Sequence, residues 1–243
     1  MAEEFVDIWA FLAESPLLGL TLTLAAFLAT QWAWERVGRP PVLHPVITAA
    51  ALLITFLTVA GIDYETYFEG AQFIHFLLGP ATVALAVPLY DQLGRIRRLL
   101  LPVGVAVVAG SVTAALSAIL VGAALGASHE TLLSLAPKSV TTPIAMGITE
   151  RIGGSPSLTA GLVLLTGVLG ALLAPLVFRL LRIRDETAQG FALGLAAHGF
   201  GTAQAFGIGA AAGAFAGLGL GLAGLVTALL VPVLMPLIRV LGG

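Results

Sequence analysis

The sequence predicts an all-α, polytopic membrane protein, and three observations carry that prediction. Hydrophobic residues fill 58% of the 243 positions, charged residues only 10%, and the mean hydropathy is +1.04; soluble domains carry roughly 25% charge. The charges are bunched. No Asp, Glu, Lys or Arg lies between Glu186 and Arg239, from Leu99 to Ser128, or from Ile152 to Phe178. A spanning helix takes about 20 apolar residues, so the longest gap has room for two. Within the gaps Leu, Ala, Gly, Val and Ile run on without the alternation of a transmembrane barrel, which leaves helices as the way to pair the backbone in lipid.

Taken in order, residues 1–14 form an N-terminal segment read as interfacial, anchored by Phe5, Trp9 and Phe11, or as a frayed tail; residues 15–243 form one transmembrane domain. The first span covers about Ser15 to Trp34, with Trp32 and Trp34 at headgroup level. The second covers about Pro45 to Ala60. The acidic stretch 61–70 reads as a loop. The third span, Ala71 to Tyr90, is interrupted at Gly79-Pro80 and at Pro88. The fourth covers about Leu99 to Leu125. Residues 132–154 are only moderately apolar and carry Lys138, Glu150 and Arg151. Clean spans follow at about Ser157–Leu180 and Ala214–Ile238, with a glycine-broken tract around His198 between them, divided from the last span near residues 207–213.

Basic loops face the cytoplasm. Arg36 and Arg39, Arg95 to Arg98, and Arg179 to Arg184 all fall inside if residues 132–152 enter the bilayer and turn back, the His198 segment crosses, and the last span returns Arg239 to the inside. That gives about seven crossings plus one re-entrant element. Residues 77–89 loosely parallel 134–146 in proline placement, a weak sign of the inverted repeats that transporters use.

Composition and motifs also exclude functions. There is no cysteine, hence no disulfide or thiolate metal site. No basic patch suits nucleic acid. No HExxH, GxSxG or phosphate-loop pattern occurs, so neither an enzyme nor a metal or other cofactor is expected.

Irregular backbone at membrane depth is tolerated only where protein buries it or water lines it. Three places qualify: Gly79-Pro80, Pro137 to Pro143, and His198 to Gly201. Pro137 is a favoured first helical residue, so a helix is expected to start near Lys138, with Ser139, Thr141 and Thr142 in its first turn. A lysine and several hydroxyls at a helix N-terminus would hold a carboxylate or phosphate; the plainer alternative is a lysine that snorkels to the interface. Glu150 is either a coupling carboxylate or one half of an ion pair with Arg151 at a helix end capped by Gly153-Gly154. His198, with Gly199, Gly201, Thr202 and Gln204 around it, could bind a carboxylate or relay a proton. His44 and His75 lack such company and are read as structural. Gly213, Gly217, Gly221 and Gly224 form a small-residue stripe that suits close helix packing or a dimer interface.

The runs LAPKSVTTPIAMGITERIGGSPSLTAG (135–161), FLLGPATVALAVPLY (76–90) and GFALGLAAHGFGTAQA (190–205) closely resemble the LrgB/CidB family of bacterial membrane proteins, from about Ser15 to Ile238. The resemblance implies a multi-pass protein of the bacterial plasma membrane with transporter-like broken helices, and two functional stories. One is a holin/antiholin-like regulator of murein hydrolase activity and lysis, acting with a small LrgA/CidA-type membrane partner. The other is a carrier of small monocarboxylates such as pyruvate, or the glycolate and glycerate of related plastid translocators. The carrier reading is preferred because a lysis protein needs neither Lys138 nor a glycine-flanked histidine in a charge-free tract. It makes Lys138, Ser139, Thr141, Thr142, His198, Gly199, Gly201, Thr202, Gln204, Gly79, Pro80 and Thr82 substrate-binding residues, and Glu150 or His198 the proton-coupling group. A homodimer is expected. Gln204 departs from the family pattern, where many relatives carry a basic residue, which implies a different hold on substrate charge at that position.

Overall fold

The computed structural model describes residues 16–38, 43, 45–77, 80, 83–84 and 86–242, and the regular structure among them is helical, with no strand. The N-terminal segment, His44, Gly79 and Thr82 lie outside them. The helices are α1 (Pro16–Arg36), α2 (Pro45–Ala60), α3 (Tyr64–Phe76), α4 (Ala86–Asp91), α5 (Leu93–Arg98), α6 (Leu100–Ala124), α7 (His129–Leu135), α8 (Thr142–Ile152), α9 (Pro156–Leu180), α10 (Glu186–Ile208) and α11 (Ala210–Leu241). Four of them are long and apolar enough to cross a membrane: α1 from Leu17, α6, α9 and α11; α2 is apolar but shorter. The protein is thus an all-helical membrane protein, in two compact units, residues 1–84 and 85–243.

In the first unit α1 packs against α2 and α3. The acidic stretch expected as a loop is helical from Tyr64. Asp63 caps α3, accepting the Thr66 N–H at 2.7 Å and the Thr66 hydroxyl at 3.1 Å, and these bonds hold its carboxyl below the usual range. Gly19 lets α1 close on the α3 backbone at Tyr67, and the Thr23 and Tyr67 hydroxyls meet at 2.7 Å. Of the third span expected at 71–90, α3 covers the part up to Phe76; the break expected at Gly79-Pro80 falls where Gly79 lies outside the described residues, and Pro88, expected as a second break, lies within α4 instead.

The second unit is built from three long helices and two hairpins. α6 ends in a glycine cap: Gly126 takes a φ of 76°, and Ala127 N–H reaches the Gly122 carbonyl at 2.9 Å. Ser128 then caps α7 through Thr131 N–H. α7 turns back into the protein, with Leu132 and Leu135 against Gly122 of α6. Residues 136–141 form the tip, and α8 returns until Gly153 (φ 84°) and Gly154 end it beside Leu133 and Ser134. The result is a helical hairpin at the place where the sequence predicts a re-entrant element.

α10 departs from expectation. Its backbone leaves helical geometry at His198 alone, at φ 40° and ψ −121°. Straight, its 23 residues would measure about 35 Å. Instead the chain reverses: Gly201 lies against the Leu193 carbonyl, Leu193 packs with Ala205, and Glu186 meets Gly209. α10 is therefore a second hairpin, with arms 186–197 and 199–208, and not a crossing.

One consequence concerns sidedness. α10 begins and ends on the face that carries Arg179 to Arg184, so α11 starts there and finishes on the opposite face, where Gly242 packs on His129. Arg239 thus lies at the opposite end of the second unit from Arg179 to Arg184, against the positive-inside expectation. A single charge weighs little in that rule.

The second hairpin fits because its neighbours are small. Gly190 and Gly194 lie on the backbone of Ala212 and Ala216 in α11, and Gly170 faces Ala197. Two glycines of the stripe on α11 pack within the chain: Gly213 lies under Phe206 and Gly224 under Ile144. Gly194→Val would place branched carbons on the Ala216 carbonyl, where only backbone can yield; overpacking of this kind costs about 1–3 kcal/mol. Gly221 has open space around it, so Gly221→Ala is expected to hold or raise stability. Thermal unfolding in detergent should show a clear loss for the first variant and none for the second.

Candidate functional site

The two hairpins enter the second unit from opposite faces, and their tips come together beside the middle of α9. His198 is buried, and its Nε2 lies 3.0 Å from the Val163 carbonyl oxygen. A carbonyl only accepts, so Nε2 carries the proton and the neutral ring keeps Nδ1 as an acceptor. Gly167 of α9 leaves room for the ring: a Cβ there would stand 2.5 Å from His198 Cε1. Phe200 meets the imidazole edge-on at 6.1 Å.

Lys138 sits in the first tip, half-buried and within electrostatic reach of His198. Its Nζ approaches the Ser139 hydroxyl at 3.4 Å, and no carboxylate pairs with it among the described residues. Lys138 and Ser139 open on a groove of about 740 Å³ between α6, α9 and the first arm of α10. The groove is mostly apolar; Thr113 and Thr166 add the other hydroxyls.

The helix after Lys138 starts later than expected. Pro137 and Lys138 belong to a turn, with Lys138 N–H bonded to the Leu135 carbonyl at 3.2 Å. Thr141 is the N-cap and Thr142 the first residue of α8, with Pro143 in its first turn. The proline that marks the helix start is therefore Pro143 rather than Pro137, and Lys138 is held by the turn before the helix.

Other expected residues divide. The Thr202 hydroxyl donates to the His198 carbonyl at 2.8 Å, so its proton steadies the tip. Gly201 is buried where the arms meet, and Gly199 is exposed with open space around it. Gln204 is not at the tip: it lines a separate cavity near the arginine face. Glu150 is exposed at the end of α8, one turn from the Gly153 cap. Pro80 is helical and exposed in the first unit.

Sequence reasoning missed the hydroxyl cluster at the base of the first hairpin. Buried Ser134 accepts the Ser155 N–H at 2.9 Å and donates to the Glu130 carbonyl at 2.8 Å. Thr159 donates to the Ser134 carbonyl at 3.1 Å and meets the Thr149 hydroxyl at 2.9 Å. These bonds fasten the hairpin to the start of α9. The signal available was Ser155 before Pro156, a helix-start pair.

The model of the LrgB-like family matches residues 23–237. Bacillus subtilis (strain 168) has a protein named uncharacterized protein YxaC that is 41% identical over 186 residues, or 76% of this chain and 80% of that one. Another from the same organism, uncharacterized protein YwbG, is 35% identical over 90% of this chain and 97% of its own length. An antiholin-like protein LrgB of Bacillus cereus (strain B4264) is 31% identical over 92% of this chain and 97% of its own. No solved structure gives a significant match.

Ser134→Ala would strip the buried Ser155 N–H of its acceptor. The expected loss is about 1–3 kcal/mol, read as a lower unfolding temperature in detergent; an unchanged value would show that the hairpin base is held by other contacts.

Proposed function

This chain belongs to the LrgB-like family, and from that premise we propose that it carries a small monocarboxylate across the membrane by alternating access, with the meeting hairpin tips as the substrate site. The observation that supports this most is Lys138: a cation in a largely apolar groove, with a neutral hydroxyl as its neighbour. A charge at membrane depth is costly without a partner. A substrate carboxylate supplies that partner, with Ser139 beside it and Thr141 and Thr142 at the adjoining helix start.

His198 refines the substrate class. With Nε2–H given to Val163, the neutral ring offers an acceptor and suits a hydroxyl donor. Glycolate and glycerate carry a 2-hydroxyl. Pyruvate carries a keto oxygen, which needs the protonated ring as donor. The same ring then serves as the proton-coupling group in place of exposed Glu150. In this reading the hairpins move against α6, α9 and α11, the bacterial plasma membrane is the site of action, and the working form is a homodimer.

A second reading has its own support. The Bacillus cereus relative is named antiholin-like, which favours a regulator of lysis acting by oligomerisation or with a small membrane partner.

Uptake of labelled acids into proteoliposomes separates the two. A carrier shows saturable uptake of glycolate and glycerate at neutral pH. Pyruvate uptake rises as pH falls, and Lys138→Ala lowers affinity roughly tenfold or more. No saturable uptake of any acid, with size-nonselective leakage retained in Lys138→Ala and His198→Ala, would overturn the carrier reading and favour the regulator.

A further inference from the structure

The loop from α9 to α10 contains an unusual cap. Ile183 N–H bonds to the Phe178 carbonyl at 2.9 Å, the closure that ends a helix through a left-handed residue. Glycine normally holds that position. Here it is Arg182, at φ 57°. A non-glycine residue in this conformation costs stability, so the guanidinium is kept there against the backbone preference.

Arg182 lines a cavity of about 460 Å³ together with Arg179, Arg184, Gln189 and Gln204. The two glutamines come from opposite arms of the second hairpin, so the cavity lies at its open end. No carboxylate lines it. The nearby Asp185 is already engaged by the Ala188 N–H at 2.9 Å, the Thr187 hydroxyl and Arg95 at 3.1 Å, and its carboxyl is held below the usual range, first by the Thr187 bond. Glu186 lies against Gly209. None of the three arginines has an acidic partner among the described residues. The Oε1 end of the Gln204 amide is buried without a hydrogen-bond partner. Gln189 gives its amide N–H to the Ile183 carbonyl at 2.7 Å, which braces the loop against the first arm.

We propose that this cavity is an anion site for a phosphomonoester group, distinct from the groove at Lys138 and independent of what that groove carries. Three guanidiniums match a doubly charged phosphate, because each presents parallel donors to two of its oxygens. The Gln204 amide, turned to present its N–H₂, supplies a neutral donor at the inner wall. A bound phosphate would tie the α9–α10 loop to both arms of the hairpin. The group could come from a lipid such as phosphatidic acid or from soluble phosphate.

The test uses the full-length protein and two probes: inorganic phosphate in detergent, and nanodiscs of phosphatidylcholine with or without phosphatidic acid. Arg182→Gly is the informative variant, because glycine relaxes the cap and the fold should be at least as stable. Phosphate is expected to raise the unfolding temperature of the wild type more than chloride does at equal ionic strength. Binding should weaken roughly tenfold in Arg182→Gly and further in Arg179→Gln/Arg182→Gly, while Lys138→Ala keeps it. A shift with phosphatidic acid alone assigns the site to a lipid headgroup; a shift with inorganic phosphate assigns it to a soluble anion. No shift with either probe, or equal shifts in wild type and Arg182→Gly, overturns the proposal. Loss of acid uptake in Lys138→Ala with phosphate binding intact keeps the two sites separable.

Discussion

Every peptide N–H and C=O at membrane depth has to find a partner inside the protein. The second unit ends two helical hairpins within its own body, and each tip would otherwise strand polar groups in hydrocarbon. The tips are closed locally. Lys138 and Val140 N–H bond back to Leu135 and Pro137, the imidazole of His198 reaches across to Val163, and Thr202 takes the His198 carbonyl. At the second tip the polar side chains of His198 and Thr202 take up backbone carbonyls, whereas at the first tip the backbone closes on itself and leaves the Lys138 and Ser139 side chains to each other.

Such tips can form only if four helical segments crowd beside α9 and α11, and the crowding is a matter of volume. Gly167 and Gly170 on α9 receive His198 and Ala197; Gly190 and Gly194 receive the α11 backbone. Packing of this kind replaces the hydrophobic drive that lipid removes. Large side chains stay where space permits: Phe215 is fully buried in a cluster with Val107, Val140, Val163 and Phe191, which draws on both hairpins and on α6.

Much of this could be read from the chain. Charge-free tracts locate the long helices, since no soluble fold tolerates them. Lys138 stands out as a cation between apolar runs, and Gly153-Gly154 announces the end of α8. The reversal at His198 was not legible. The glycines around His198 mark a break but do not say that the chain turns back there, and the bend itself rests on the φ and ψ of the histidine. That one residue also misplaced Gln204, which the fold-back sets beside Gln189 and away from the tip, and it reversed the side assigned to Arg239. The late start of α8 has a similar origin: two prolines compete to open the helix, and only the turn bonds of residues 135–140 decide for Pro143.

The central claim is that two hairpins enter from opposite faces and meet. The chain has no cysteine of its own, so single cysteines can be introduced at Arg184, Ile208, Leu125 and Arg151 and labelled from one side of sealed, oriented vesicles with an impermeant maleimide. The account predicts that positions 184 and 208 label together from one side, and positions 125 and 151 together from the other. Labelling of 184 and 208 from opposite sides would mean that α10 crosses the membrane, and the meeting of the tips, with the site built on it, would be lost.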